Sequence, residues 1–302
     1  MEKFKPKTKS ELIKALGFRA PVRRIDVSLL TDLSDLGLIF AAYYRGGADL
    51  EGIEDWDVSR VTNFACMFYG CREFNRPLGD WRVDNATDLS SMFYGCRKFN
   101  RPLGDWRVDN ATDLSYMFYR CREFNQPLGR WRVDRVTNFT CMFCGCEKFD
   151  QPLGDWRVDN ATKMPNLFGE CSSFNQSLER WRVDRVTNFA CMFYGCRKFN
   201  KPLGRWNPKS ADSLRCMFRD CDSFNQDLRR WDLSRVKDAK GMLWGCRSFA
   251  QDLSEWRERD HVDTDVLFMP PVDDIIVYGR GSDSDSDSDR TPRSTPREPI
   301  PF

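Results

Sequence analysis

The sequence predicts an α/β solenoid in which each repeat supplies a short parallel strand and a short helical or 3₁₀ turn. Tryptophan recurs every 25 residues without slippage, at Trp56, Trp81, Trp106, Trp131, Trp156, Trp181, Trp206, Trp231 and Trp256. Cysteine keeps the same beat at Cys71, Cys96, Cys121, Cys146, Cys171, Cys196, Cys221 and Cys246. Phenylalanine fills two further slots, from Phe68 to Phe218 and from Phe74 to Phe249. Unrelated residue types locked to one period mean one supersecondary unit copied in tandem. Such a unit cannot bury both its flanks alone, so the copies must stack on a shared core.

The elements follow in chain order. Residues 1–24 form a basic N-terminal arm and short cap helix: eight lysines and arginines stand against Glu2 and Glu11, and Ser10 to Gly17 reads as a capped helix. It is either a solvated cap or a basic docking arm. Residues 25–55 are a degenerate capping repeat, with Ile25 in the tryptophan slot and an enlarged spacing to Trp56. Residues 56–255 hold eight 25-residue repeats. Residues 256–280 are a half repeat and cap, in which Leu267 and Phe268 hold the places of Met67 and Phe68. Pro270-Pro271 closes this cap, and Ile275 to Tyr278 could cover the last edge. Residues 281–302 alternate Ser and Asp before two Thr-Pro pairs, a composition that cannot bury a core and offers kinase targets.

Within the copy that begins at Trp81, the apolar positions are Trp81, Val83, Ala86, Leu89, Met92, Phe93, Cys96, Phe99 and Leu103. Trp81, Arg82, Val83 and Asp84 alternate apolar and polar, the period of a strand with one buried face. Leu89, Met92, Phe93 and Cys96 form one apolar stripe at helical spacing, and Thr87 stands where an N-cap is useful. Proline followed by glycine interrupts any longer helix.

The segment Trp56-Asp57-Val58-Ser59-Arg60-Val61-Thr62-Asn63-Phe64, followed by M-F-x-x-C-x-x-F-N-x-P-L-x-x-W and recurring in many copies, resembles the BspA-type leucine-rich repeats of bacterial surface proteins, protist proteins and some large DNA viruses. The resemblance covers Ile25 to about Phe268. It implies a leucine-rich-repeat-like right-handed coil, with L-x-x-W-x-V in place of the L-x-x-L-x-L strand. Asn75, Asn100, Asn125, Asn175, Asn200 and Asn225 resemble the asparagine ladder of that family, and Asp150 and Ala250 depart from it. Secreted members carry signal peptides or lipid anchors. The start Met1 to Pro6 has no apolar h-region, so an intracellular location is expected: cytoplasmic, or the host cytoplasm or a virion if the chain is viral. No run approaches the length of a membrane span.

Catalysis has little support: one histidine, no nucleophile motif and no phosphate-binding loop, with the glycines at 70, 95, 145, 195 and 245 serving as repeat turns. No cofactor is implied. The cysteines read as reduced packing residues, and the Cys141, Cys144, Cys146 cluster is a weak zinc candidate. Three Asn-Ala-Thr sequons, at Asn85, Asn110 and Asn160, are copied with the repeat. The expected function is a non-enzymatic scaffold that meets a protein partner, or a second copy of itself, through the outward side of the strand ladder. Asp80, Arg82, Asp84, Arg107, Arg132, Arg157, Arg180, Arg182 and Arg205 mark that face. Cross-strand ion pairing is the plainer account of the arginine file. Yet the positions flanking each tryptophan are net negative over the first five copies and net positive over the last four, a polarity suited to an oriented partner. Two alternatives stand beside this reading. One is RNA or single-strand binding by Arg97-Lys98-Arg101 and Arg197-Lys198-Lys201, which the net charge of +2 argues against. The other is a structural part of a virus particle or surface assembly.

Overall fold

The computed structural model describes residues 3–259 and 263–270, which belong to the first of two compact units, Met1–Val272 and Asp273–Phe302. The expected edge cover at Ile275 to Tyr278 and the tail 281–302 lie outside the described residues. In the first unit each 25-residue copy makes one coil, and consecutive coils stack in register. Between Asp55 and Ser254 there is no helix, and no strand longer than a single bridge residue. All nine apolar side chains of the Trp81 copy are buried. The tryptophans stack ring on ring, with Trp131 to Trp156 at 6.5 Å and 3° between planes, and two phenylalanine files run beside them.

The local elements differ from expectation. Trp81 to Asp84 forms no strand: Trp81 N–H turns back to the Leu78 carbonyl at 3.1 Å and Ala86 N–H to the Val83 carbonyl at 2.9 Å. The alternation of buried and exposed side chains there is real, but it arises at a corner. Backbone pairing between coils runs instead through the segment expected to be helical. The N–H groups of Leu89, Ser91, Phe93 and Gly95 donate to the carbonyls of Asp113, Ser115, Met117 and Tyr119 at 3.4, 2.8, 2.9 and 2.7 Å. Thr112 N–H donates back to the Thr87 carbonyl at 3.0 Å, so Asp88 and Asp113 form a parallel bridge, as do their equivalents from Asp32 to Asp238. The intervening N–H groups of Met92, Tyr94 and Cys96 close turns within the coil onto Leu89, Ser91 and Phe93. A backbone that sends alternate N–H groups outward and inward needs left-handed corners, and Ser91 (φ 54°) and Gly95 (φ 70°) supply them.

Side chains complete the junctions. Each indole from Trp106 to Trp231 donates to the leucine carbonyl 28 residues earlier, as Trp131 Nε1 does to Leu103 at 2.9 Å. The core thiols do likewise: Cys121 Sγ lies 3.0 Å from the Phe93 carbonyl. Thr87, read as an N-cap, instead donates its hydroxyl to the Thr62 carbonyl at 3.2 Å, because no helix follows it. The asparagine file accepts the N–H one coil on, as Asn125 N–H donates to Asn100 Oδ1 at 3.0 Å. Asp150 is no interruption, since the file requires only an acceptor: Asn175 N–H and Gln176 Nε2 donate to its Oδ1, each at 2.9 Å. Ala250 donates to Asn225 and has no next repeat to serve.

The slot of Asp88 adds a further rule. Its Oδ1 accepts the N–H of Ser90 at 2.8 Å, and Asn63, Asp113, Asn138, Asn188 and Asp238 do the same two residues on. Lys163 breaks the pattern, but residue 165 is proline and has no N–H to satisfy.

The first coil is capped by α1 (Lys9–Gly17), which Thr8 caps by accepting the Glu11 N–H at 3.2 Å and which buries Leu12 and Leu16. Phe4 forms a parallel bridge to Ile25, covering the outermost edge. Lys5 pairs with Asp26 at 3.2 Å and Lys9 with Asp32 at 3.3 Å, so part of the basic arm is already engaged by the cap. A second helix, α2 (Gly37–Tyr43), accounts for the enlarged spacing before Trp56. At the other end α3 (Ser254–Arg259) takes over at Trp256, and Leu267 is buried while Phe268 turns outward.

Candidate interaction surface

The predicted face lies along the tryptophan corner. Trp81 and Val83 point inward and fix Arg82 outward between them, and the copies from Trp56 to Trp206 repeat this burial pattern. Asp80, Arg82, Arg107, Arg132, Arg157, Arg180, Arg182 and Arg205 are exposed and Asp84 is half-buried. They form a continuous file, though not on a strand ladder. The corner is also where coils stand farthest apart. Equivalent rings repeat at 4.5 Å for Tyr94 and Tyr119, 5.6 Å for Phe93 and Phe118, 6.0 Å for Phe99 and Phe124, and 6.4 Å for Trp106 and Trp131. Hydrogen-bonded backbones sit ~4.8 Å apart, so the paired side is tight and the tryptophan side is splayed.

Ion pairs run along the file within coils, in Arg82 with Asp84 at 3.5 Å and Arg107 with Asp109 at 3.4 Å. They also run between coils, in Arg157 with Asp134 at 3.5 Å, Arg180 with Asp155 at 3.0 Å and Arg205 with Glu179 at 3.2 Å. Arg132 reaches Asp134 at 3.8 Å. Exposed pairs of this kind contribute about 0.2–1 kcal/mol each and leave their charges available to a partner. Asp80 and Arg182 have no ion pair or hydrogen bond among the described residues. Arg157, Arg180 and Arg182 flank a cleft of ≈ 320 Å³ whose other walls are Asp155, Asp159 and the edge of Trp156. The cleft falls where the file changes from net negative to net positive.

Several residues of the other candidates are already engaged. Lys98 is paired with Glu73, and Arg101 Nε donates to the Asn75 carbonyl at 2.9 Å. Asn85, Asn110 and Asn160 each donate Nδ2 to a carbonyl of the preceding coil, at 2.7, 2.8 and 2.7 Å. Cys141, Cys144 and Cys146 do not converge: the Cys146 thiol enters the core to the Phe118 carbonyl at 3.0 Å, while the free thiols of Cys141 and Cys144 hydrogen-bond to each other. Burial pushes the thiols of the core file far up, and that of Cys246 up to about 12.

Sequence periodicity overlooked the opposite, paired side. There the slots vary from copy to copy: Tyr69, Tyr94 and Tyr119 stack at 4.4 and 4.5 Å, and the slot then holds Cys144, Gly169, Tyr194, Arg219 and Trp244. Arg120 lies over Tyr119 and Arg219 over Tyr194, at 5.3 and 5.4 Å. The signal was present as variation at surface slots of an otherwise uniform repeat. Among the described residues, no helix is long and apolar enough to cross a membrane.

No curated protein matches this chain. The family described as "Mycoplasma protein of unknown function, DUF285" matches residues 35–156 and 137–256, two overlapping spans that together take in the array from α2 to the last tryptophan. The chain is therefore a member of the DUF285 family, built from a tandemly repeated unit.

Proposed function

We propose that this protein is a non-enzymatic scaffold of BspA-like, leucine-rich-repeat type, which binds an oriented protein partner through the Arg/Asp file. The observation that carries the reading is the division of labour within each copy. The repeated tryptophan, cysteine, phenylalanine and asparagine residues are spent on the stack, while the exposed positions beside each tryptophan differ in charge along the array. Arg157, Arg180 and Arg182 around the cleft are the centre of the proposed contact, because guanidinium groups bind carboxylates in two-point geometry and Arg182 has no partner among the described residues. A partner that presents an acidic segment to the cleft would be steered by the basic half of the file.

The test is affinity capture from native lysate with the wild-type chain and with Arg180→Glu/Arg182→Glu, followed by mass spectrometry and by titration of the purified partner. The expected result is a protein retained by the wild type and lost, at least tenfold in affinity, with the variant. Identical retention by both would overturn the assignment of the face. Saturable, salt-sensitive binding of RNA on filters would favour the nucleic-acid reading instead.

A further inference from the structure

The paired side carries two thiols that the stack does not require. Cys191 and Cys216 hold equivalent places on adjacent coils, three residues beyond the Asn188–Ser213 bridge, and both are left-handed, with φ of 56° and 52°. The other copies hold Cys66, Ser91, Tyr116, Cys141, Asn166 and Gly241 in this slot, so only here do two of its thiols meet across one junction. The junction is tight. Cys191 N–H donates to the Arg215 carbonyl at 2.8 Å, and the Phe193 and Phe218 rings two residues on repeat at 5.5 Å. Hydrogen-bonded backbones run about 4.8 Å apart, within the roughly 4.4–6.8 Å that a disulfide spans between Cα atoms.

The surroundings suit thiol chemistry. The core thiols donate to carbonyls inside the stack, as Cys221 does to Phe193 at 2.9 Å. Cys191 is half-buried at the surface, Cys216 is buried at 4% exposure, and the Cys191 S–H donates to the Cys216 sulfur. The Cys191 hydrogen bond and then, against the upward push of its own burial, the guanidinium groups of Arg219 and Arg215 hold the Cys216 thiol below the ordinary range, whereas at the core thiols burial prevails. The Arg219 head is kept in place by the Tyr194 ring at 5.4 Å and by Asp220 at 3.4 Å. As a thiol, Cys216 has only a long contact to the Lys240 carbonyl, 3.7 Å, to give up on ionising. Low-pKa thiols beside cations are the ones that oxidise.

We propose that Cys191 and Cys216 form a peroxide-responsive pair, with Cys216 as the attacking sulfur and Cys191 as the resolving one. The Cys216 thiolate attacks one oxygen of hydrogen peroxide, the O–O bond breaks, and the departing hydroxide takes a proton and leaves as water. Cys216 is then a sulfenic acid. The Cys191 sulfur displaces its hydroxyl, which leaves with the Cys191 proton as a second water, and an S–S bond joins the two coils. The two thiols lose two electrons and two protons in all, and the peroxide is reduced to two waters.

The experiment treats the intact chain with one equivalent of hydrogen peroxide and maps tryptic peptides without reduction. The expected product links peptide 186–197 to peptide 216–219, with fragmentation placing the bond on Cys191 and not on Cys196. Cys191→Ser should abolish the link and leave Cys216 trappable by dimedone, Cys216→Ser should give neither product, and Arg219→Gln should slow loss of the Cys216 thiol several-fold. Oxidation spread over the other cysteines with no such peptide, or dimedone labelling of Cys191→Ser anywhere but Cys216, would overturn the proposal.

Discussion

Replacing Trp131 by phenylalanine separates the two contributions of the tryptophan column. Trp131 is 3% exposed, its ring stacks on Trp106 and Trp156 at 6.4 and 6.5 Å, and its Nε1 donates to the Leu103 carbonyl at 2.9 Å. Phenylalanine keeps a ring in the column but leaves that carbonyl buried and unpaired, at a cost of about 1–3 kcal/mol. The lost ring volume adds roughly 1–2 kcal/mol. Trp256 supplies the internal control. It is fully buried, but its Nε1 has no hydrogen-bond partner among the described residues, so Trp256→Phe should cost only the packing part. Urea unfolding followed by far-ultraviolet circular dichroism, with thermal midpoints in parallel, measures both variants without relying on the indole fluorescence that each removes. The difference should be about 1–3 kcal/mol in favour of Trp256→Phe. Placing β-(3-benzothienyl)alanine, a near-isostere lacking the N–H, at each site should destabilise the chain at residue 131 and leave it unchanged at 256. Equal losses at the two positions would refute the claim that indole hydrogen bonds, and not ring packing alone, tie coil to coil.

Further outcomes follow from single junctions. Pro165→Ala creates a buried N–H with no acceptor at Lys163, and Lys163→Asn should restore it, giving a double-mutant coupling of about 1 kcal/mol in the same unfolding assay. The hydrogen bond and charge of Arg229 hold the Asp227 carboxyl down at about 2, against an ordinary value of 3.8. The stability it contributes is therefore complete above about pH 3.8 and is lost as pH falls toward 2, a limb of the pH–stability curve that Asp227→Asn should flatten. Gly37→Ala would drive a Cβ into the backbone of Tyr69 and should destabilise the N-terminal end by about 3 kcal/mol, measurable as accelerated proteolysis between α1 and Trp56.

The burial pattern of each copy was legible in the residues, and the hydrogen-bond pattern was not. Alternation at Trp81 to Asp84 reports only which side chains face the core, and a chain rounding a corner produces it as well as a strand does. The helical spacing of Leu89, Met92, Phe93 and Cys96 arises from successive three-residue turns broken by left-handed corners. Those corners were concealed because Cys66, Ser91, Tyr116, Cys141 and Asn166 occupy positions where glycine would have announced them. Asp150 looked like a flaw in a ladder, although a carboxylate oxygen accepts an N–H as readily as an amide oxygen does. On the candidate surface, the exposure of the arginine file could be read from its neighbours' hydrophobicity. The cleft at Arg157, Arg180 and Arg182 could not, because it depends on how far apart two coils stand.

Because the junctions between the 25-residue copies are closed by partners a fixed distance apart along the chain, 25 residues for the asparagine file and 28 for the indoles, the molecule's length is set by arithmetic and not by shape. Duplicating or excising one whole period would recreate the same contacts on either side of the splice, whereas gaining or losing a single residue would sever several at once. Genes of this kind can grow and shrink by unequal recombination while their products stay folded, and the span offered to a binding partner changes in discrete steps.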